Sequence, residues 1–166
     1  MEIKENTISI LVNNKPDVMA RIAGTFSGRG FNIETIAVNV TENPQTSKII
    51  LTTWGNQDTI IKIEKQLNKM VDVIRVDDLT GGNAVKREMI LIRVKTDGGQ
   101  QANLRQTIDT NGWKVVSKED GYWIVEVTGE REDIEKALTL LKPFGVDDFT
   151  RSGTVALARQ NNTTRG

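Results

Sequence analysis

The spacing of apolar residues switches between a period of two and a helical period in one fixed order, and that order occurs twice. Ile8, Ile10 and Val12 alternate with other residues, as in a strand with one more apolar face. Lys15-Pro16 ends this run, because proline lacks an N–H donor and fixes φ. From Asp17 the period becomes helical, with Val18, Ile22 and Phe26 on one face and Ala23 beside them. Gly28 and Gly30 stop that helix, Gly30 being the expected left-handed residue beyond its end. Strands follow at Ile36, Val38, Val40 and at Ile49, Leu51, Thr53, the latter with Ile50 and Trp54 on its other face. Ile60, Ile63, Leu67 and Met70 stripe a second helix, and Val71, Val73, Ile74 and Val76 mark a fourth strand.

After "TGGNA", residues 80–84, the order recurs. "REMILIRVKT" reads as a strand, and "QANLRQTIDTNGW" as a helix with Leu104 and Ile108 at i, i+4 and a stop at Gly112. A hairpin turns at Asp120-Gly121, and Ile134, Leu138 and Leu141 stripe the last helix before "GVDDFTRSGTVALA". The second helices even begin alike, "GNQDTIIKIEKQL" answering "GEREDIEKALTLL". Right-handed crossovers in a βαββαβ unit place both helices on one face of a four-stranded antiparallel sheet. The fold class is therefore α+β, two tandem ferredoxin-like sandwiches. The expected domains are 1–79 and 85–158, joined by a linker at 80–84 and followed by a disordered polar tail at 159–166. Ile50, Trp54, Ile90 and Ile92 lie opposite the stronger core registers, so the second sheet faces are expected to be covered, by a homodimer partner.

The composition removes several chemistries. The 22 basic and 22 acidic residues balance, unlike the basic excess of a nucleic-acid or anionic-membrane binder. Zero cysteines excludes thiolate chemistry and disulfides, and fits a reducing compartment. Zero histidines excludes serine-hydrolase triads and histidine-based zinc sites, and lowers the odds of an enzyme. No apolar run approaches the roughly 20 residues of a membrane helix, and "MEIKENTISILV" is unlike a signal peptide. A cytoplasmic protein is expected, with no cofactor or metal of its own.

Other motifs have ordinary readings. "GRG" at 28–30 follows a helix and so fails the context of a phosphate loop. The pairs Asp77-Asp78, Glu119-Asp120 and Asp147-Asp148 project to opposite strand faces, which suits neither a glycosidase pair nor a metal cage. The third strand, "SKIILTTWG", lacks the aromatic and basic signature of an RNA-recognition motif. The stretch 13–38 is more suggestive. Asn14 and Asn32 sit at the turns flanking one helix, whose N-terminus offers free amides and partial positive charge. Asparagine both donates and accepts, as an amino acid's two charged ends require, although from spacing alone turn formation, a very common role, is the better account of both residues. The helix separates them by roughly 20 Å, so two copies, not one, would have to close them around a small ligand.

"LVNNKPDVMARIAGTFSGRGFNIETIAV" resembles the amino-acid-binding ACT motif, a strand, an Asn-x-Pro-Gly-Val-Leu turn and a helix ending Arg-Gly-x-Asn-Ile. With "IEKQLNKMVDVIRV" at 63–76, "VKREMILIRVK" at 85–95 and "FTRSGTVAL" at 149–157, the chain resembles the small, regulatory subunits of acetolactate synthase (acetohydroxyacid synthase). The resemblance implies a noncatalytic subunit whose paired ACT domains hold valine or a related branched-chain amino acid. It also implies a catalytic partner that carries thiamine diphosphate, magnesium and FAD, is activated by this subunit and is subject to feedback inhibition through it. Carried over, the effector site comprises Asn14, Asp17, Val18 and Met19, with Asn32 and Ile33 from the neighbouring copy. A stand-alone amino-acid-sensing ACT protein is the alternative.

Asp17 departs from the pattern, which has glycine there. Its carboxylate in the helix-end field would repel a ligand carboxylate by roughly 4 kcal/mol at 4 Å and an effective dielectric near 20. The other reading is that Asp17 caps the helix and points away.

Overall fold

The computed structural model describes residues 2–160. They form two compact units, one from the residues up to Val85 together with the segment from Gly153 onward, the other from Lys86–Ser152.

In the first unit, β1 (Lys4–Asn13), β2 (Thr35–Val40), β3 (Thr46–Gly55) and β4 (Val73–Asp78) form an antiparallel sheet of order β2-β3-β1-β4. Helices α1 (Val18–Ser27) and α2 (Gln57–Leu67) provide the two crossovers, which is the ferredoxin-like arrangement. The strand and helix periods converge on one core: Ile8, Ile10, Val12, Ile49 and Leu51 from the sheet, Val18, Ile22 and Phe26 from α1, Ile60, Ile63 and Leu67 from α2. Asn56 caps α2, its side chain accepting from Thr59 N at 3.0 Å. Helix α1 ends in a Schellman turn: Gly30 takes φ 73°, and the amides of Gly30 and Phe31 donate to Ser27 O and Phe26 O.

The second unit repeats this topology. Strands β5 (Ala84–Lys95), β6 (Lys114–Glu119), β7 (Tyr122–Gly129) and β8 (Val146–Arg151) are ordered β6-β7-β5-β8, with α3 (Gln101–Thr110) and α4 (Arg131–Gly145) as crossovers. Ile90, Ile92, Val94, Leu104, Ile108, Val125, Ile134 and Leu141 are at the centre of its core. Helix α3 ends as α1 does, with Gly112 at φ 69° and the amides of Gly112 and Trp113 reaching Asp109 O and Ile108 O. Buried Glu88, level with this core on β5, is held by Nε and Nη2 of Arg151, whose Nη1 donates to Glu135 at 2.8 Å. These partners hold the Arg151 pKa above the usual guanidinium range, the Glu88 hydrogen bond most of all.

Two expectations about the second sheet faces change. Ile90 and Ile92 lie on the helix-covered face, and Met89, Leu91 and Arg93 point away from it. "MILI" is apolar in both registers, so alternation alone could not select the inner one. Ile50 is on the outer face of the first sheet, as expected. It is covered there by Leu79, Ala84, Ala156 and Ala158 of the same unit, not by another copy. Trp54 stays half-exposed.

The segment placed by sequence in the second domain, 153–158, thus packs within the first unit and carries β9 (Val155–Ala158). Arg159 extends its hold, donating from N to Asn83 O at 2.7 Å and from Nε to Gly82 O at 3.1 Å. Of the expected tail, 159–166, residues 161–166 lie outside the described residues.

Placing a carboxylate in this cover gives a test. Ala156→Asp is expected to lower the unfolding free energy by about 1–3 kcal/mol. In urea titrations the loss should be the same at two protein concentrations, because the cover is intramolecular.

Candidate functional site

Strand β1 ends in the segment Asn13–Asp17, and one carboxylate organises it. Asp72, in the turn between α2 and β4, is 5% exposed. Its Oδ1 accepts from Lys15 Nζ at 2.8 Å and from Asn13 Nδ2 at 3.0 Å, while its Oδ2 accepts from Arg21 Nη2 on α1. Its backbone carbonyl also takes Asn13 N at 2.9 Å. One residue therefore ties the end of β1, the loop after it and the first helix to the entry of β4. Hydrogen bonds from Lys15, then Asn13 and Arg21, hold the Asp72 carboxyl well below the usual carboxylate range, against the opposing effect of burial.

Arg21 also reaches Asp17, Nε to Oδ2 at 3.0 Å. The Asp17 side chain is 65% exposed and makes no capping hydrogen bond, so the capping reading of this residue is overturned. Its neighbour one helical turn on is a cation, and the i, i+4 pair draws the carboxylate along the helix instead of across its end. The first turn of α1 holds no other acidic residue, and no side chain caps its amides, in contrast to α2 and to α4 with its Glu130–Asp133 capping box. Val18 N donates to Lys15 O at 3.3 Å, so a carboxylate ligand would meet the amides of Met19 and Ala20 there.

The remaining sequence-derived residues fall at two separate places. Asn14 N donates to Gln45 O at 2.8 Å and its Nδ2 to Pro44 O at 3.0 Å, which fastens it to the β2–β3 turn. Its carboxamide oxygen has no partner among the described residues. Val18 is buried in the core, and Met19 and Ile33 are partly buried against it. Asn32 is exposed; its backbone carbonyl accepts from Thr53 Oγ1 at 2.6 Å. Thr53 pairs with Asn6 and Thr46 with Asn13, so Asn32 and Asn14 lie at opposite ends of the sheet, about 25 Å apart by strand rise. The structure thus brings together Asn14, Asp17, Val18 and Met19, and leaves Asn32 and Ile33 elsewhere in the same copy.

Asp72, Lys15 and Arg21 were missed by sequence reasoning. The available signal was an aspartate between two valines in "MVDVI", where a buried carboxylate requires a partner.

A βαββαβ sandwich of this strand order is the architecture of ACT-type domains, and comparison agrees. The model of the AHAS small subunit-like ACT domain matches residues 8–75, and that of the small subunit of acetolactate synthase matches 87–160. The chain is 36% identical over 159 residues to the acetolactate synthase small subunit of Mycobacterium bovis, covering 96% of this chain and 95% of that one. It is 37% identical over 164 residues to a probable acetolactate synthase small subunit of Methanothermobacter thermautotrophicus, with 98% of each covered. The crystal structure of the acetolactate synthase small subunit from Thermotoga maritima superposes with a TM-score of 0.85 at 37% identity, over 95% of this chain and 99% of that one. The chain belongs to the family of acetolactate synthase small subunits. Its role is that of a regulatory, noncatalytic subunit in branched-chain amino acid biosynthesis. No helix among the described residues is long and apolar enough to cross a membrane.

Because its folded-state pKa is depressed, Asp72 contributes stability that is complete above its unfolded value near pH 4 and is lost as pH falls through the folded value. Asp72→Asn is expected to lower the melting temperature at pH 7. The gap from the unmodified chain should narrow progressively below about pH 4, as followed by circular dichroism.

Proposed function

We propose that two copies pair through the free edge of β2 and hold a branched-chain amino acid, valine foremost, between them. The observation that carries this reading is the edge itself. Strand β2 is paired on one side only, and Ile36, Val38 and Val40 along it are 37%, 40% and 55% exposed. An apolar edge strand paired on one side only is a ready template for strand pairing. A two-fold axis normal to the sheet makes the two β2 strands antiparallel, so the Thr35 end of one meets the Val40 end of the other. Asn32, just before Thr35, then arrives beside the 41–45 turn of the second copy, to which that copy's Asn14 is fastened. Each site takes Asn14, Asp17, Val18 and Met19 from one copy and Asn32 and Ile33 from the other. The amides of α1 receive the ligand carboxylate, and the carboxamide oxygens receive its ammonium.

In this reading the dimer associates with the acetolactate synthase catalytic subunit, raises its activity and conveys feedback inhibition. Thiamine diphosphate, magnesium and FAD stay with that catalytic subunit, and this chain acts in the cytoplasm beside it. Asp17 sets the effector affinity. Its charge still lies in the helix-end field, but Arg21 offsets part of it and solvent screens more.

Titration calorimetry with L-valine tests the pocket. The unmodified chain is expected to bind no tighter than about millimolar, and Asp17→Gly at least about tenfold tighter. Micromolar binding by the unmodified chain would discard the role given to Asp17. Val38→Lys tests the pairing. It should yield a monomer in analytical ultracentrifugation and abolish any valine response of pyruvate condensation by the catalytic subunit; a dimer with an intact response would refute the β2 interface.

A further inference from the structure

The two sheets differ on the face turned away from their helices. In the first unit Ile50 on that face is covered by Leu79, Ala84, Ala156 and Ala158. In the second unit the same face is open, and Met89, Leu91 and Tyr122 on it are 39%, 37% and 36% exposed. The strand registers lay out its pattern, because directly paired residues share a face. Leu91 is opposite Glu126, and Arg93 is opposite Ile124, between β5 and β7. Beyond them Lys114 on β6 is opposite Glu126, and Asp148 on β8 is opposite Arg93. A hollow of about 120 Å³, lined in part by Leu91, Ile124, Arg93 and Asp148, lies at the centre.

Met89 and Leu91 on β5 continue obliquely into Ile124 and Tyr122 on β7, which makes one slanting apolar stripe. Charges flank the stripe in a fixed order. On one side come Glu126 and then Lys114; on the other come Arg93 and then Asp148. Glu126 and Lys114 enter no ion pair among the described residues. Arg93 uses Nε on Asp147 at 2.7 Å and turns Nη2 toward Asp148 at 3.9 Å, which leaves Nη1 for another acceptor.

We propose that this face docks on the same face of a second copy of the chain. A two-fold axis laid along the apolar stripe sets Leu91 and Ile124 over their own counterparts and exchanges the two flanks. Glu126 then meets Arg93 of the second copy, and Lys114 meets Asp148, each pairing occurring twice. The order of charges is antisymmetric about the stripe, which is the condition for a face to complement itself. A face of one sign would repel its copy. Because the stripe runs obliquely to the strands, the two sheets cross steeply instead of lying aligned. The patch is much smaller than the roughly 20–30 residues a side of a standard interface, so the contact is weak alone and adds to pairing made elsewhere. It does not rest on the β2 edge.

The chain has no cysteine, so one introduced thiol can report the contact by cross-linking. The test uses the full chain carrying Val38→Lys, to remove β2 pairing, at about 1 mM with bismaleimidoethane, a linker short enough for the roughly 10 Å between stacked sheets. Leu91→Cys is expected to give cross-linked dimer at least about tenfold faster than Leu140→Cys, at a position of equal exposure (37%) on α4. Both rates are corrected for the reaction of each thiol with N-ethylmaleimide. Glu126→Lys and Arg93→Glu, each added to Leu91→Cys, should slow cross-linking by about tenfold, with circular dichroism confirming the fold. An equimolar mixture of those two chains should recover the rate, because each introduced charge then faces an opposite one. Equal rates at Leu91 and Leu140, rates unaffected by both charge variants, or a mixture no faster than its components would overturn the assignment. Failure of the β2 reading shows separately, as a Val38→Lys chain that stays dimeric at ultracentrifuge concentrations when Glu126→Lys is added.

Discussion

A carboxylate withdrawn from water must find positive or hydrogen-bonding partners, and Asp72 finds them in the loop that leads from β1 into α1. Lys15, Asn13 and Arg21 converge on it from the end of β1, the turn and α1. The loop 13–17 is polar and exposed apart from Asn13, so little apolar contact is available to fix it. The carboxylate supplies that fixation instead, and through Arg21 it also sets the direction of Asp17. The geometry of the helix entrance thus depends on a residue more than fifty positions away in sequence. Charge-assisted hydrogen bonds of this kind orient as well as attract, because each acceptor lone pair has a direction.

What could be read from the sequence follows from what is local. The period changes at Asp17, the glycine stop at Gly30 and the Asp120-Gly121 turn are encoded within a few residues, and the elements form there. Faces were legible only where the two registers differed in polarity. "SILVN" has more polar residues in one register, and Ile8, Ile10 and Val12 point inward; "MILI" offers no such contrast, and Ile90 and Ile92 were assigned to the wrong face. Of long-range polar pairing only the need was legible, in the aspartate between the valines of "MVDVI", and not the partners. Nothing adjacent to Asp72 announces Lys15, and nothing near Ile50 announces Ala156.

The duplicated units show how one topology accommodates different chemistry at matched positions. Two residues before Ile8 stands buried Asn6, which donates from Nδ2 to Lys4 O and Gly55 O at 2.9 Å. Two residues before Ile90 stands buried Glu88, answered by the guanidinium of Arg151. The neutral amide gives its N–H groups to nearby backbone and leaves Oδ1 without a partner among the described residues, whereas a carboxylate at the same point of the strand requires a cation from another element. The sheet order survives both solutions because it is set by crossover handedness and apolar period, not by these side chains.

The contribution of residues 153–158 to the first unit has a consequence for the order of events on the ribosome. Translation completes β1 through β4 long before Ala156 and Ala158 exist, and the whole of the second unit emerges in between. During that interval Ile50 and Leu79 face the solvent on a nascent chain, a surface suited to transient capture by chaperones. The earliest unit made is the last to be closed.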